Sequence, residues 1–256
     1  MFTATLGGLI KDYRLKKRLL QLEVSLRIGW KDTTRLSKIE QGRVSKPTRE
    51  TAEKIIKALE LTDEEKGEFL YMGGYQPTDS EIKEIIKEFK TKVDSWQHPA
   101  YIMDFSWRLL YVNKISISIF GMDLSWVDII RKNRPNAVEF AFLSKDIRPA
   151  DVWKGESEDK LKPIEIAQVA AFKTETFHYQ NEYWFKKTIQ SLMKYERFRE
   201  IWPKISLQDY HKKLLDYEYK RIIETRKGKK KIYNFHIFTT KLINDPRFQI
   251  VMYYPV

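Results

Sequence analysis

The sequence predicts an α+β protein in three parts. An all-helical domain occupies residues 1–75, a linker helix 76–97, and a larger domain 98–256 is built on a five-stranded antiparallel sheet with helices. Three observations predict this division. Charge is uneven, with 12 Lys or Arg against 4 Asp or Glu in residues 1–49 and 3 against 7 in residues 50–75. Aromatic residues split the chain elsewhere, 7 of the 35 lying before residue 96 and 28 after it. Between these regions, Gly73-Gly74-Tyr75-Gln76-Pro77-Thr78-Asp79 joins glycines that stop a helix to Thr78 or Asp79, which can cap the next one.

Composition removes several classes of function. A chain of 256 residues with 42% hydrophobic residues can bury two cores, and its 7 Trp, 14 Tyr and 14 Phe demand burial. The 47 Lys and Arg against 35 Asp and Glu leave a net charge of +12, which makes nucleic acid the first partner to test. With no cysteine there is no disulfide scaffold, thiolate metal site or cysteine nucleophile. No uncharged apolar run approaches the roughly 18 residues of a membrane span, and no signal-peptide core opens the sequence. The expectation is a soluble, cytoplasmic protein with no membrane partner.

In the first domain, Leu6, Leu9, Ile10 and Tyr13 share one side of a helix over residues 6–17. Residues 20–28 predict a short helix ended by Gly29. Asp32 can cap a second short helix over 33–40, ended at Gln41-Gly42. Arg43-Val44-Ser45-Lys46-Pro47 is a basic loop, and Thr48 caps a helix over 52–59. Two short helices about a tight glycine turn let the second present one face outward. That face carries Thr33, Thr34, Ser37 and Lys38, while Leu36 and Ile39 turn inward.

These residues resemble the Cro/cI-type (XRE family) helix-turn-helix regulators. The matching pattern is Gln21-x-Glu23-Val24-Ser25, Ile28-Gly29, then Leu36-Ser37-Lys38-Ile39-Glu40-Gln41-Gly42 and Arg43 to Pro47, within about residues 6–72. One extra residue lies between Gly29 and Leu36, and Ser25 replaces the usual Ala. The resemblance implies sequence-specific binding to double-stranded DNA, with Gln21 on a phosphate and Thr33, Thr34 and Lys38 reading base edges. Lys38 would donate to guanine O6 or N7 and the threonine methyls would meet thymine methyls. Arg35, Arg43 and Lys46 would contact phosphate, and Arg14 with Glu40 would form an internal ion pair.

Beyond the glycine break, Ile82, Ile85, Ile86, Phe89, Val93 and Trp96 form one stripe of a helix. It either packs on its own domain or carries a dimer contact. Residues 98–104 and 107–112 predict two strands about a Phe105-Ser106 turn, and Asn113 can cap a helix ending at Phe120-Gly121. Residues 127–202 read as mainly helical. Strands over 217–225, 231–242 and 248–254, with turns at Lys227-Gly228-Lys229-Lys230 and Asn244-Asp245-Pro246, close the chain as a meander.

The arrangement resembles a PAS-like fold, and more narrowly the MmyB-like ligand-binding domain that accompanies Cro/cI-type domains. The matching residues are His98 to Asp104, Trp107, Leu110 to Asn113, Phe120-Gly121 and Phe198 to Trp202, while residues 135–180 match poorly. The resemblance implies a sensor for a small apolar ligand, fatty acids being one class. A homodimer is expected because one helix-turn-helix covers only a few base pairs. Trp107, Tyr111, Phe120, Trp126, Phe140, Phe142, Phe172 and Phe177 supply bulky walls for such a pocket or simply fill a core. An alternative is an interaction module with no small ligand.

Signals for catalysis are weak. His98, His178, His211 and His236 show no metal-ligand spacing, and there is no Gly-rich phosphate loop or nucleophile elbow. The expectation is a non-enzyme with no metal.

Overall fold

The computed structural model describes residues 5–120, 122, 125–142, 158–206, 219–224 and 230–256. Helices and an antiparallel sheet divide into two compact units, one of Met1–Gln76 with Lys241–Arg247, the other of Pro77–Thr240 with Phe248–Val256. No helix among the described residues is long and apolar enough to cross a membrane.

The first unit holds α1 (Leu6–Lys16), α2 (Gln21–Ile28), α3 (Thr34–Glu40), α4 (Arg49–Ala58) and α5 (Asp63–Met72). Side-chain caps start most of them. Thr5 Oγ1 accepts the Gly8 N–H, Thr48 Oγ1 that of Thr51, and Thr62 Oγ1 that of Glu65. Leu6, Ile10, Val24, Leu36, Ile39, Ile55, Leu59, Phe69 and Leu70 form one buried core. Each side chain buried this way contributes about 1.5–3 kcal/mol, more than the roughly 1 kcal/mol that each glycine costs α1. Residues 63–72 form a helix that the spacing does not predict. There, Thr62 and Glu65 form a reciprocal capping pair, and Phe69 and Leu70 are fully buried. The turn at Lys241–Arg247 is tied to α5 within this unit. Lys241 Nζ donates to Tyr71 Oη at 2.6 Å, and a Cβ at Gly67 would lie 2.3 Å from the Asn244 carbonyl oxygen.

In the second unit, α6 (Asp79–Ser95) starts at Thr78, whose hydroxyl accepts the Glu81 N–H while the Glu81 carboxylate accepts the Thr78 N–H. The helix packs on β1 (Ala100–Asp104) and β2 (Leu109–Val112). These strands pair antiparallel, Tyr101 opposite Val112, with a register shift between Ile102 and Met103. On its other edge β1 pairs antiparallel with β5 (Phe248–Pro255), Ile102 opposite Ile250. Further out, β3 (Tyr219–Glu224) pairs antiparallel with β4 (Lys230–Lys241), giving the order β2-β1-β5-β4-β3. Helices α7 (Lys114–Ile119), α8 (Ser125–Asn133), α9 (Glu139–Phe142), α10 (Glu158–Thr176), α11 (Tyr183–Leu192) and α12 (Glu196–Ile201) lie between β2 and β3 in sequence. Gly121, His211 and Lys227 to Lys229 fall outside the described residues.

One expectation needs correction. The second strand begins at Leu109, not at Trp107, because the preceding carboxylate folds the chain into a longer turn. Asp104 accepts from the N–H and hydroxyl of Ser106, the N–H of Arg108 and the Arg108 guanidinium, and its carbonyl accepts the Trp107 N–H. Trp107 closes that turn with φ of 64°, in the left-handed region that bulky side chains avoid. Its buried ring and an Nε1 bond of 2.9 Å to Glu175 hold it there.

Candidate nucleic-acid interface

The face of α3 is set by what lies beneath it. Leu36, Ile39 and Glu40 are buried, whereas Thr34, Arg35 and Lys38 are exposed and Thr33 and Ser37 half-buried. The helix begins one residue later than the sequence suggests. Thr33 occupies the capping position, but Asp32 Oδ1 does the work, accepting the Thr34 N–H at 2.8 Å. That bond holds the Asp32 carboxyl below its usual pKa range.

The turn between α2 and α3 depends on Gly29, at φ 89° and ψ 20°. The Gly29 N–H reaches the Leu26 carbonyl and the Trp30 N–H that of Ser25, closing the last carbonyls of α2. A side chain at Gly29 would meet open space, so its requirement is conformational rather than spatial. The indole of Trp30, in the longer turn, lies beneath Arg35 with the guanidinium carbon 6.0 Å from the ring centre.

Under α3, Arg14 and Glu40 form the expected ion pair, with Nε to Oε1 at 2.7 Å and Nη2 to Oε2 at 2.9 Å. Arg14 also donates to the Leu19 carbonyl at 2.9 Å. Its bonds to Glu40 outweigh desolvation, so its pKa rises further above the usual guanidinium range. Gln21 donates from Nε2 to Glu40 Oε2 at 2.8 Å, which spends one of its two amide protons inside the domain. Residues from α1, α2 and α3 thus share one carboxylate.

The other candidate DNA residues separate into two groups. The side chains of Thr33, Lys38 and Arg43 make no hydrogen bond among the described residues, whereas the Thr34 side chain joins its backbone N–H in holding the Asp32 carboxylate. Lys46 instead turns to the Gly74 carbonyl at 3.1 Å, with its ammonium 4.9 Å from the Tyr75 ring centre. Ser37 accepts from Gln41 Nε2 at 2.8 Å. Sequence reasoning missed this contact, although the spacing of four residues along a helix signals it. The Trp30–Arg35 contact had no such signal.

Residues 10–66 match a family model described as helix-turn-helix. They form an XRE-type helix-turn-helix domain. Such a domain makes the chain a DNA-binding transcription regulator, and α2 and α3 are its motif. No curated protein matches the sequence.

The residues expected to wall a pocket are brought together only in part. Trp107 and Phe172 meet edge to face at 5.6 Å, and Phe142 joins them through Phe198 and Trp202. Phe120 packs instead on Tyr253 at 5.3 Å. Tyr111 donates to Asp94 at 2.6 Å and accepts from Lys90 at 2.8 Å, both on α6. Trp126 is buried on α8, and Phe177 is half-buried in a 3-10 turn after α10. Phe140 lies in α9, with its side chain outside those described.

Proposed function

We propose that the protein regulates transcription as a homodimer that lays α3 of each copy in the major groove of a pseudo-palindromic site. Thr33, Thr34, Ser37 and Lys38 read base edges. Gln21, Arg35, Arg43 and Lys46 hold phosphates. The observation that carries this reading is the division of α3 itself. Its apolar and acidic side is locked to α1 and α2, and its Thr and Lys side is turned outward. The expected footprint comprises two half-sites about one helical turn apart, or a multiple of it. Sedimentation and protection assays that show a monomer on one half-site would overturn the dimer. Lys38→Ala costs about 1–3 kcal/mol on the cognate duplex and nearly nothing on a scrambled one. Arg43→Ala weakens both alike and lowers the salt slope by about one unit. Equal losses on both duplexes for Lys38→Ala would move that lysine to the backbone.

The second unit is proposed to be a PAS-like sensor over residues 98–256 for a small apolar ligand, fatty acids being one class. Binding to one arrangement of the dimer then changes DNA affinity reciprocally. A second reading is supported by the ring packing. Phe172 stacks on Phe185 with planes 4° apart and Phe198 on Trp202 with planes 23° apart, as in a filled core that serves only protein contacts. Mass spectrometry of the denatured purified protein separates the two, since a co-purifying lipid favours the sensor.

A further inference from the structure

The DNA reading leaves open what each outward side chain can say to a base, and for Ser37 the geometry answers. A serine hydroxyl carries one proton and two lone pairs and rotates to suit its partner, so a free serine reads donors and acceptors alike. Ser37 is not free. Gln41, one helical turn on, donates from Nε2 to Ser37 Oγ at 2.8 Å. The donated proton occupies lone-pair space on Oγ, so the Ser37 hydroxyl proton must point away from Gln41. Nothing among the described residues accepts it. The carbonyl one turn back, that of Thr33, accepts the Ser37 backbone N–H at 2.8 Å and no bond from the Ser37 hydroxyl.

We propose that Gln41 is a positioning residue that fixes Ser37 as a hydrogen-bond donor toward DNA, so that the facing base must offer an acceptor. Guanine offers N7 and O6, adenine N7 and thymine O4, but the major-groove edge of cytosine offers only its amino donor. The pair therefore excludes cytosine rather than selecting one base. This rests on α3 being the helix that reads the groove.

The test is selection from a randomised duplex library with the full-length protein, followed by titration of the four variants of each enriched position. Wild type should disfavour cytosine about tenfold at one position. Gln41→Ala releases the hydroxyl, and that bias should fall to within about twofold while binding to scrambled duplex and thermal stability stay unchanged. Gln41→Glu replaces the donor by a carboxylate that accepts the Ser37 proton. Ser37 then presents lone pairs, and the preference should invert toward cytosine, above a uniform loss from the added negative charge. Glutamate can also accept from cytosine directly. In the Ser37→Ala background, therefore, the inverted preference must vanish. If it persists, or if Gln41→Ala keeps the wild-type bias, the proposal is overturned while the DNA reading stands. If wild type enriches no sequence at all, the reading of α3 falls and this inference with it.

Discussion

The two units bury different materials. Beneath α1 to α5 the core is chiefly aliphatic, Leu6, Ile10, Val24, Leu36, Ile55 and Leu59 among it, with one ion pair at its edge. In the second unit ring meets ring, from Trp107 through Phe172 to Phe185, Trp202, Phe198 and Phe142. Its buried polar groups include hydrogen-bonded side chains such as Asn113, Ser116 and Asp104, beside atoms such as Thr174 Oγ1 and Gln249 Oε1 that have no partner among the described residues. Aliphatic side chains of similar shape replace one another at modest cost, so such a core tolerates exchange. Rings are larger and directional, and removing one leaves a space that its neighbours cannot close.

The largest expected effect follows from that difference. Phe172 is fully buried and touches Trp107, Phe185 and Trp202. Phe172→Ala should cost about 3–5 kcal/mol in urea denaturation. A loss below about 1 kcal/mol would mean that the rings close over the gap and that the two cores do not differ in this respect.

Next comes the ion pair, for which unit one has its own rigid requirement. With side chains 9% and 3% exposed, Arg14→Ala or Glu40→Ala leaves a buried charge unpaired and should cost about 3 kcal/mol. The double variant Arg14→Met, Glu40→Leu should recover most of that loss, because the charges offset chiefly their own desolvation. Singles that melt like the parent would make the pair ornamental.

The same contrast explains what could be read from the sequence. Helical spacing gave α1 to α4 because Leu6, Leu9, Ile10 and Tyr13, like Leu36 and Ile39, bury by neighbourhood within one helix. It also gave the outward face of α3. It predicts no helix over 63–72, where Asp63, Glu64 and Glu65 begin α5 and Phe69 and Leu70 are buried. Ring contacts such as Trp107 with Phe172 join elements far apart in the chain, and no local period encodes them. Spacing could name the aromatic residues but not their partners. Spacing also puts Trp107 in a strand, since no period announces that Asp104 gathers four backbone and side-chain donors around the turn.

The smallest effect is also the sharpest, because one substitution should act with opposite sign in the two units. Ser116 and Ser25 are both fully buried. The Ser116 hydroxyl accepts the Ala100 N–H at 2.9 Å and lies 3.0 Å from the Ala100 carbonyl and 2.8 Å from Asn113 Oδ1. Ser116→Ala strips a partner from the start of β1, and leaving such groups short costs about 1–3 kcal/mol. The Ser25 hydroxyl, inside α2, has no partner among the described residues. Ser25→Ala removes a buried polar group that makes no bond and substitutes the better helix former, so it should stabilise the first unit by about 1 kcal/mol. Paired denaturation curves of the two variants decide it. If Ser25→Ala also destabilises, its hydroxyl is satisfied in solution, by a buried water for instance, and the expected difference in sign between the two serines is lost.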